Sequence, residues 1–327
     1  MTLKAYSIEI YQPKFKSAWN TFVTHSKNAT FLFQRDFMEY HQDRFEDFSL
    51  MVFKKGKLVG LLPANRVEDE LHSHQGLTYG GLLLLKDVKF ETVLHSFEVL
   101  LKFLEEHKIT TLYLKEIPAI YHRIPSEEVH YLNFILNAQL VRRDTLSVID
   151  NQHQIKFSGS RREGIKRAQK HELRIVNDDD FKAFWNTILK INLSIKHNAE
   201  PVHSLEEILW LKEKFPQNIK QFNVYQGQQI VAGATIFETK NVAHCQYISG
   251  NGDKNNLGSL DALHDYLINE VYAEKRYFDF GTSNENNGKN INEGLQFWKE
   301  GFGARTMTQD FYKIEIKNHK ELHTILK

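Results

Sequence analysis

Phe278-Asp279-Phe280-Gly281-Thr282-Ser283 is followed, after ten residues, by Gly294-Leu295-Gln296-Phe297-Trp298-Lys299-Glu300-Gly301-Phe302-Gly303-Ala304. The first block alternates aromatic and polar side chains as a half-buried strand does, and Gly281 marks where the chain turns out of it. Alternation places Asp279 on the face opposite both phenylalanines. The second block gathers Leu295, Phe297 and Trp298 ahead of Lys299, with Gly301 placed to stop a helix. The reading is a strand, a short helix that ends on a lysine, and a long final strand.

Working outward, 259–274 is an amphipathic helix through Leu263, Leu267 and Val271, preceded by a strand over 244–250 and a hairpin that turns at Gly227. The first half repeats this order. A hairpin turns at Gly56, 76–82 stands where 244–250 does (Tyr79 against Tyr247), a helix covers 90–107, a strand 110–114, and 134–143 matches 297–305. The economical reading is an α/β (α+β) protein of two tandem units, 1–150 and 151–327. Each is a mixed, mostly antiparallel sheet flanked by helices. The second unit carries a helical insert at about 178–216, where Ser204 and Glu207 have the spacing of a capping box.

Composition narrows the class of function. The 327 residues are 41% hydrophobic and 25% charged, with 42 Lys+Arg against 41 Asp+Glu, so affinity for a polyanion must come from a local patch. Apolar runs such as 82–85 are far shorter than a membrane span, and the charged N-terminal stretch lacks a signal-peptide core. A lone cysteine, Cys245, excludes an internal disulfide. A cytoplasmic protein without a transmembrane segment is expected. His72 and His74 have no Cys/His/Asp cluster to complete a metal site, so no metal is expected either.

The element order resembles the GNAT acyltransferase fold, and two such units in tandem resemble the Fem-type family, the FemAB-like peptidoglycan aminoacyl transferases and related tandem-GNAT acetyltransferases. The two blocks quoted above carry the resemblance, with Trp298 where that family usually has Phe. The first copy keeps only Tyr79-Gly80-Gly81 as an echo. The resemblance implies acyl or aminoacyl transfer to an amine of a cell-envelope or polysaccharide precursor, by direct attack in a cleft between or beside the two units. It associates Lys299 with the donor and the transition state.

Such transfer passes through a tetrahedral oxyanion and needs orientation of two substrates, a counter-charge and a proton acceptor. No Ser-His-Asp or Cys-His signature is present, and Cys245 reads as a small buried residue. Lys299 is the candidate counter-charge and Asp279 the candidate base or amine anchor. The glycine-rich stretch 249–259 stands where GNAT enzymes hold the CoA pyrophosphate; Gly258 matches that signature, whereas Asn255 and Leu260 depart from it. Donor contacts are expected from Tyr247, Ile248, Asn255, Gly258, Ser259 and Trp298, and acceptor contacts from Gln34, Arg35, Tyr79, Lys86, Arg162 and Lys166. Acyl-CoA, acyl carrier protein and aminoacyl-tRNA all stay open as donors, with transient contact at a membrane surface and no role for DNA. Ser160 and Glu163 have capping-box spacing at the start of a helix on which Arg162, Lys166 and Lys170 form a basic stripe. The alternative function is a non-catalytic module that binds RNA or an acidic partner through this helix, 160–174.

Overall fold

The computed structural model describes residues 3–197 and 199–326. The chain forms two compact units: residues up to Asp144 together with those from Thr308 onward, and Thr145–Met307. The division differs from a simple halving at 150/151. The closing residues join the first unit because Ile314, Ile316 and Leu322 are buried in its core, and 145–150 joins the second, where Leu146 to Asp150 pair with Thr282 to Tyr277.

In the first unit, an antiparallel sheet runs in the order Tyr6–Ile10, Leu50–Lys54, Lys57–Leu62, Leu83–Leu84. Its hairpin turns at Lys55 and Gly56, both with positive φ (50° and 75°), as a tight two-residue connection requires. Thr111–Lys115 pairs antiparallel with the last strand, Arg305–Glu315, and parallel with Glu70–His72, itself in a hairpin with Asn65–Val67. The helix Phe90–Glu106 packs Val93, Phe97, Leu100, Leu101 and Leu104 into this core, each fully buried. The strand expected at 76–82 is not formed. Only Leu83 and Leu84 extend, against Leu61 and Gly60. Gly80 approaches Ser73 so closely that a β-carbon would lie 2.0 Å from its carbonyl oxygen, and Gly81 takes φ +114°, so this stretch folds back instead of extending.

The second unit is a mixed sheet in the order Arg174–Val176, Ile219–Gln226, Gln229–Glu238, Val242–Gly250, Tyr277–Thr282 and the end of Gln139–Asp150. Neighbours are antiparallel except Val242–Gly250 with Tyr277–Thr282. The hairpin at Gly227 lies beside the Tyr247 strand, with Thr235 opposite Tyr247. Phe278 and Phe280 meet Leu263, Leu267 and Phe302 in the core. The insert is helical at Phe181–Phe184, Trp185–Leu189, Lys190–His197 and Leu205–Lys214, and the Ser204/Glu207 capping box forms as read.

Two helix boundaries shift. Gly159–Lys170 is capped by Ser158, which accepts from the Arg161 N–H, and Glu163 pairs with Lys166 instead of closing a box with Ser160. Glu293–Glu300 ends before Gly301, whose φ of −59° is right-handed. Gly303 makes the left-handed turn (φ +89°), where a β-carbon would lie 2.6 Å from the Ile155 carbonyl oxygen.

Candidate active site

The parallel strands Val242–Gly250 and Tyr277–Thr282 pair only at Val242/Tyr277, Ala243/Phe278 and His244/Asp279, and then part. Just beyond the last pair, both strands are irregular. Thr235 and Ile236 oppose Tyr247 and Cys245, leaving Gln246 as an extra residue. Asp279 and Thr282 oppose Val148 and Leu146, so Phe280 and Gly281 stand against Ser147 alone. Bulges of this kind free main-chain groups from the ladder and re-aim side chains. Gln246 Oε1 and Ser283 Oγ are buried without a hydrogen-bond partner among the described residues, so the region offers polar groups to a ligand.

Lys299 reaches this place from the helix Glu293–Glu300, whose first turn is held by Asn292 accepting from the Leu295 N–H. Its side chain is buried, and Nζ donates to the carbonyl oxygens of Gly281 (3.0 Å) and Thr282 (2.7 Å). Gly281 has φ +69°, which turns these consecutive carbonyls toward the lysine. Burial lowers the Lys299 pKa to about 8, against the pull of Asp279. Asp279 is 1% exposed; its Oδ1 accepts from the Gly281 N–H (2.7 Å) and its Oδ2 lies 2.9 Å from His244 Nδ1. The two catalytic candidates are thus linked through Gly281, which bonds Asp279 through its N–H and Lys299 through its carbonyl. His244 was not singled out from the sequence. A polar residue in the apolar run 242–245 was the one available sign, and it does not reveal a parallel neighbour. Burial pushes the Cys245 thiol well up, so it is protonated and no nucleophile.

The expected donor residues divide. Tyr247 lies on the strand beyond the parting, its hydroxyl bonded to His203 Nδ1 (2.7 Å), and Ile248 packs on the core. Trp298 packs edge-on against His264, Phe280 and Phe302, so it supports the fold beside Lys299. The start of the helix Ser259–Tyr266 is closed to a pyrophosphate. A β-carbon on Gly258 would lie 1.9 Å from the Gly164 carbonyl oxygen, and one on Gly164 would lie 1.7 Å from Asp261 Oδ2. Asp261 holds Arg161 at 2.6 Å, the Asn255 carbonyl accepts from Arg167 (3.1 Å), and Ser259 is fully buried. This chain's own helix Gly159–Lys170 occupies the position, and a carboxylate faces it, so the residues do not fit CoA bound in that manner.

Of the expected acceptor residues, Gln34 bonds to the Asn20 carbonyl and Thr24 on the first unit's surface. Arg35 is buried, ion-paired with Glu39 and Asp47 and stacked on Tyr11. Tyr79 is buried and donates to Thr30 Oγ1 (2.9 Å), whereas Lys86 is exposed. Arg162 and Lys166 are exposed on the helix Gly159–Lys170, as is Lys170 one turn on. Among the described residues, Glu116, His130 and Asp310 approach within metal-sharing distance, yet Arg143 already grips both Asp310 oxygens at 2.6 and 2.7 Å. No helix among the described residues is long and apolar enough to cross a membrane.

The sequence matches no protein-family model and no curated protein. Solved structures resemble the fold over nearly its whole length. FemX is 10% identical with a TM-score of 0.65, covering 97% of this chain and 99% of its own. L-PGS from Bacillus licheniformis is 11% identical with a TM-score of 0.54 over 94% and 93%. A tandem GNAT protein from the clavulanic acid biosynthesis pathway is 11% identical with a TM-score of 0.51 over 95% and 98%. The chain therefore shares its fold with FemX and with the tandem GNAT protein.

Proposed function

We propose that this protein is an acyltransferase that moves an acyl or aminoacyl group onto an amine of a cell-envelope or polysaccharide precursor. The observation that carries the reading is the buried Lys299 ammonium, held on the Gly281 and Thr282 carbonyls where two parallel strands part beside Asp279. Attack of an amine on an ester or thioester carbonyl places negative charge on the carbonyl oxygen. A desolvated, pre-oriented ammonium stabilises that charge far better than water does. A pKa of about 8 keeps Lys299 mostly protonated at neutral pH, as this role needs. Cys245, protonated and buried, offers no nucleophile, and in this reading the amine attacks the donor carbonyl directly.

The closed helix start at Gly258 supports a donor other than CoA. The exposed stripe of Arg162, Lys166 and Lys170 supports a polyanionic carrier instead, either an aminoacyl-tRNA or an acyl carrier protein. In this reading the protein works in the cytoplasm and touches the membrane surface transiently to meet its precursor. The same stripe favours a second reading, a non-catalytic module for RNA or an acidic partner.

The test incubates purified protein with labelled aminoacyl-tRNA, acyl carrier protein thioesters and acyl-CoA, each against amine-bearing envelope and polysaccharide precursors. Transfer by the wild type, reduced about 100-fold or more in Lys299→Met, supports the proposal. No transfer with any pair, together with RNA binding that weakens steeply as salt rises, moves the assignment to the binding module.

A further inference from the structure

Beside Lys299 lies a titratable ring to which the reading above gives no role. His244 Nδ1 is 2.9 Å from Asp279 Oδ2, and the other Asp279 oxygen accepts the Gly281 N–H at 2.7 Å. A buried carboxylate that accepts on both oxygens makes Nδ1 the donor, so in the neutral ring the lone pair lies on Nε2. The His244 side chain keeps 14% exposure, and Nε2 makes no hydrogen bond among the described residues. Gly281 keeps that edge of the ring open, since a β-carbon there would lie 3.2 Å from His244 Cε1. His244 and Asp279 are also the last pair before the strands separate, so the ring stands at the head of the gap.

We propose that His244 Nε2 is the general base that takes the proton from the acceptor amine, with Asp279 as its positioning residue. The inference rests on the acyltransferase reading. Asp279 is poorly placed to act directly, being 1% exposed with both oxygens engaged. In the step, the amine nitrogen forms a bond to the donor carbonyl carbon while the C=O π pair moves onto oxygen, opposite the Lys299 ammonium. The amine proton passes to His244 Nε2. Collapse breaks the bond from carbon to the ester oxygen or thioester sulfur, and the leaving group collects the proton from the imidazolium. Histidine returns to its neutral form with no further reactant. Among the described residues, Asp279 from the parallel strand faces the ring and the protonated Cys245 follows it in the chain, with Lys299 linked to Asp279 through Gly281; on the strand Gln229–Glu238 the residue opposite is the uncharged Phe237.

Two measurements test this. Nitrogen-15 NMR of the histidines, assigned by comparison with His244→Gln, reads the ring without any substrate. In the neutral ring the Nδ1–H tautomer with a bare Nε2 is expected, reverting to a mixture in Asp279→Asn. An Nε2–H form would overturn the proposal. With whichever donor and acceptor the wild type turns over, His244→Gln should lower kcat about 100-fold or more with KM nearly unchanged. His244→Ala should recover part of that loss in added imidazole, a rescue that a structural defect would not show. Wild-type kcat in His244→Gln would overturn the inference and leave the acyltransferase reading intact. Absence of turnover in the wild type would instead overturn that reading.

Discussion

Lys299 Nζ lies 3.0 Å from the Gly281 carbonyl oxygen and 2.7 Å from that of Thr282, so one ammonium bridges two consecutive peptide units of a bulged strand. Ordinary strand geometry points successive carbonyls to opposite sides. The left-handed Gly281 brings them to the same side. The lysine therefore holds the bulge, and the bulge holds the lysine.

Lys299→Met conserves the stem and removes the charge. It leaves two carbonyls unpaired, at about 1–3 kcal/mol each, but also removes the desolvation cost of a buried ammonium. The expected result is a folded protein whose transferase activity is lower by about 100-fold or more. The pH dependence of stability separates these effects. With a folded pKa near 8, below that of the unfolded chain, the unfolded state binds more protons between about pH 8 and 10.5. Wild-type stability should thus rise across that window relative to Lys299→Met, as urea melts at pH 8 and pH 10 would measure. Parallel pH curves for the two proteins would show that Lys299 does not titrate there.

Gly281→Ala tests the bulge. Left-handed backbone costs a residue with a β-carbon about 1–2 kcal/mol, and the new methyl would press on His244 Cε1. A loss of that size in urea denaturation is expected, along with a larger loss of activity, because the His244 ring is displaced. A variant as stable and as active as wild type would show that the turn can be made without glycine.

Part of the geometry around Lys299 was legible in the sequence, and the parts that were not share a cause. Strand alternation puts Asp279 on the polar face, whereas Lys299 stands out at the end of a helix chiefly through the resemblance to the Fem-type pattern. The capping box at Ser204 is equally local. His244 required knowing that 242–244 runs parallel to 277–279, a pairing across more than thirty residues with no local signature. Arg35 and Tyr79 present the converse. A cation or phenol in an aromatic-rich stretch reads like a ligand contact until Glu39, Asp47 and Thr30 are seen to take up their polar groups. Glycine also carried two meanings. Gly258 matches a phosphate-binding signature by type, yet its missing side chain makes room for a neighbouring helix.

Acid should destabilise the second unit through His264. Its ring is fully buried against Phe280, Trp298 and Phe302, and burial lowers its pKa to about 4. The unfolded chain binds a proton near pH 6.5, whereas the folded one resists until about pH 4. Stability from the neutral ring is thus complete above pH 6.5 and falls as the pH drops, by about 2 kcal/mol at pH 5. Urea melts at pH 7 and pH 5 should show this loss, and His264→Phe should show a smaller one. An equal loss in His264→Phe would place the acid sensitivity elsewhere.

The last prediction concerns the donor. Saturation with a ligand at about 100 times its dissociation constant stabilises the folded state by about 2.7 kcal/mol, a shift of several degrees for a domain of this size. CoA, acetyl-CoA and longer acyl-CoAs should produce no such shift, because the Gly164 carbonyl and Asp261 carboxylate already occupy the helix start that would face the pyrophosphate. Gly164→Ala should not open the site. Its β-carbon would fall 1.7 Å from Asp261 Oδ2, so the expected result is destabilisation of the packing between Gly159–Lys170 and Ser259–Tyr266, seen as a lower melting temperature with the response to CoA still flat. Charge reversal at Arg162, Lys166 and Lys170 should leave the melting temperature nearly unchanged, since these side chains are exposed, while weakening an aminoacyl-tRNA or acyl carrier protein and flattening the salt dependence of its binding. A CoA shift in the wild type that disappears in Ser259→Asp would show that the helix start admits a pyrophosphate after all, and would return acyl-CoA to first place among the donors.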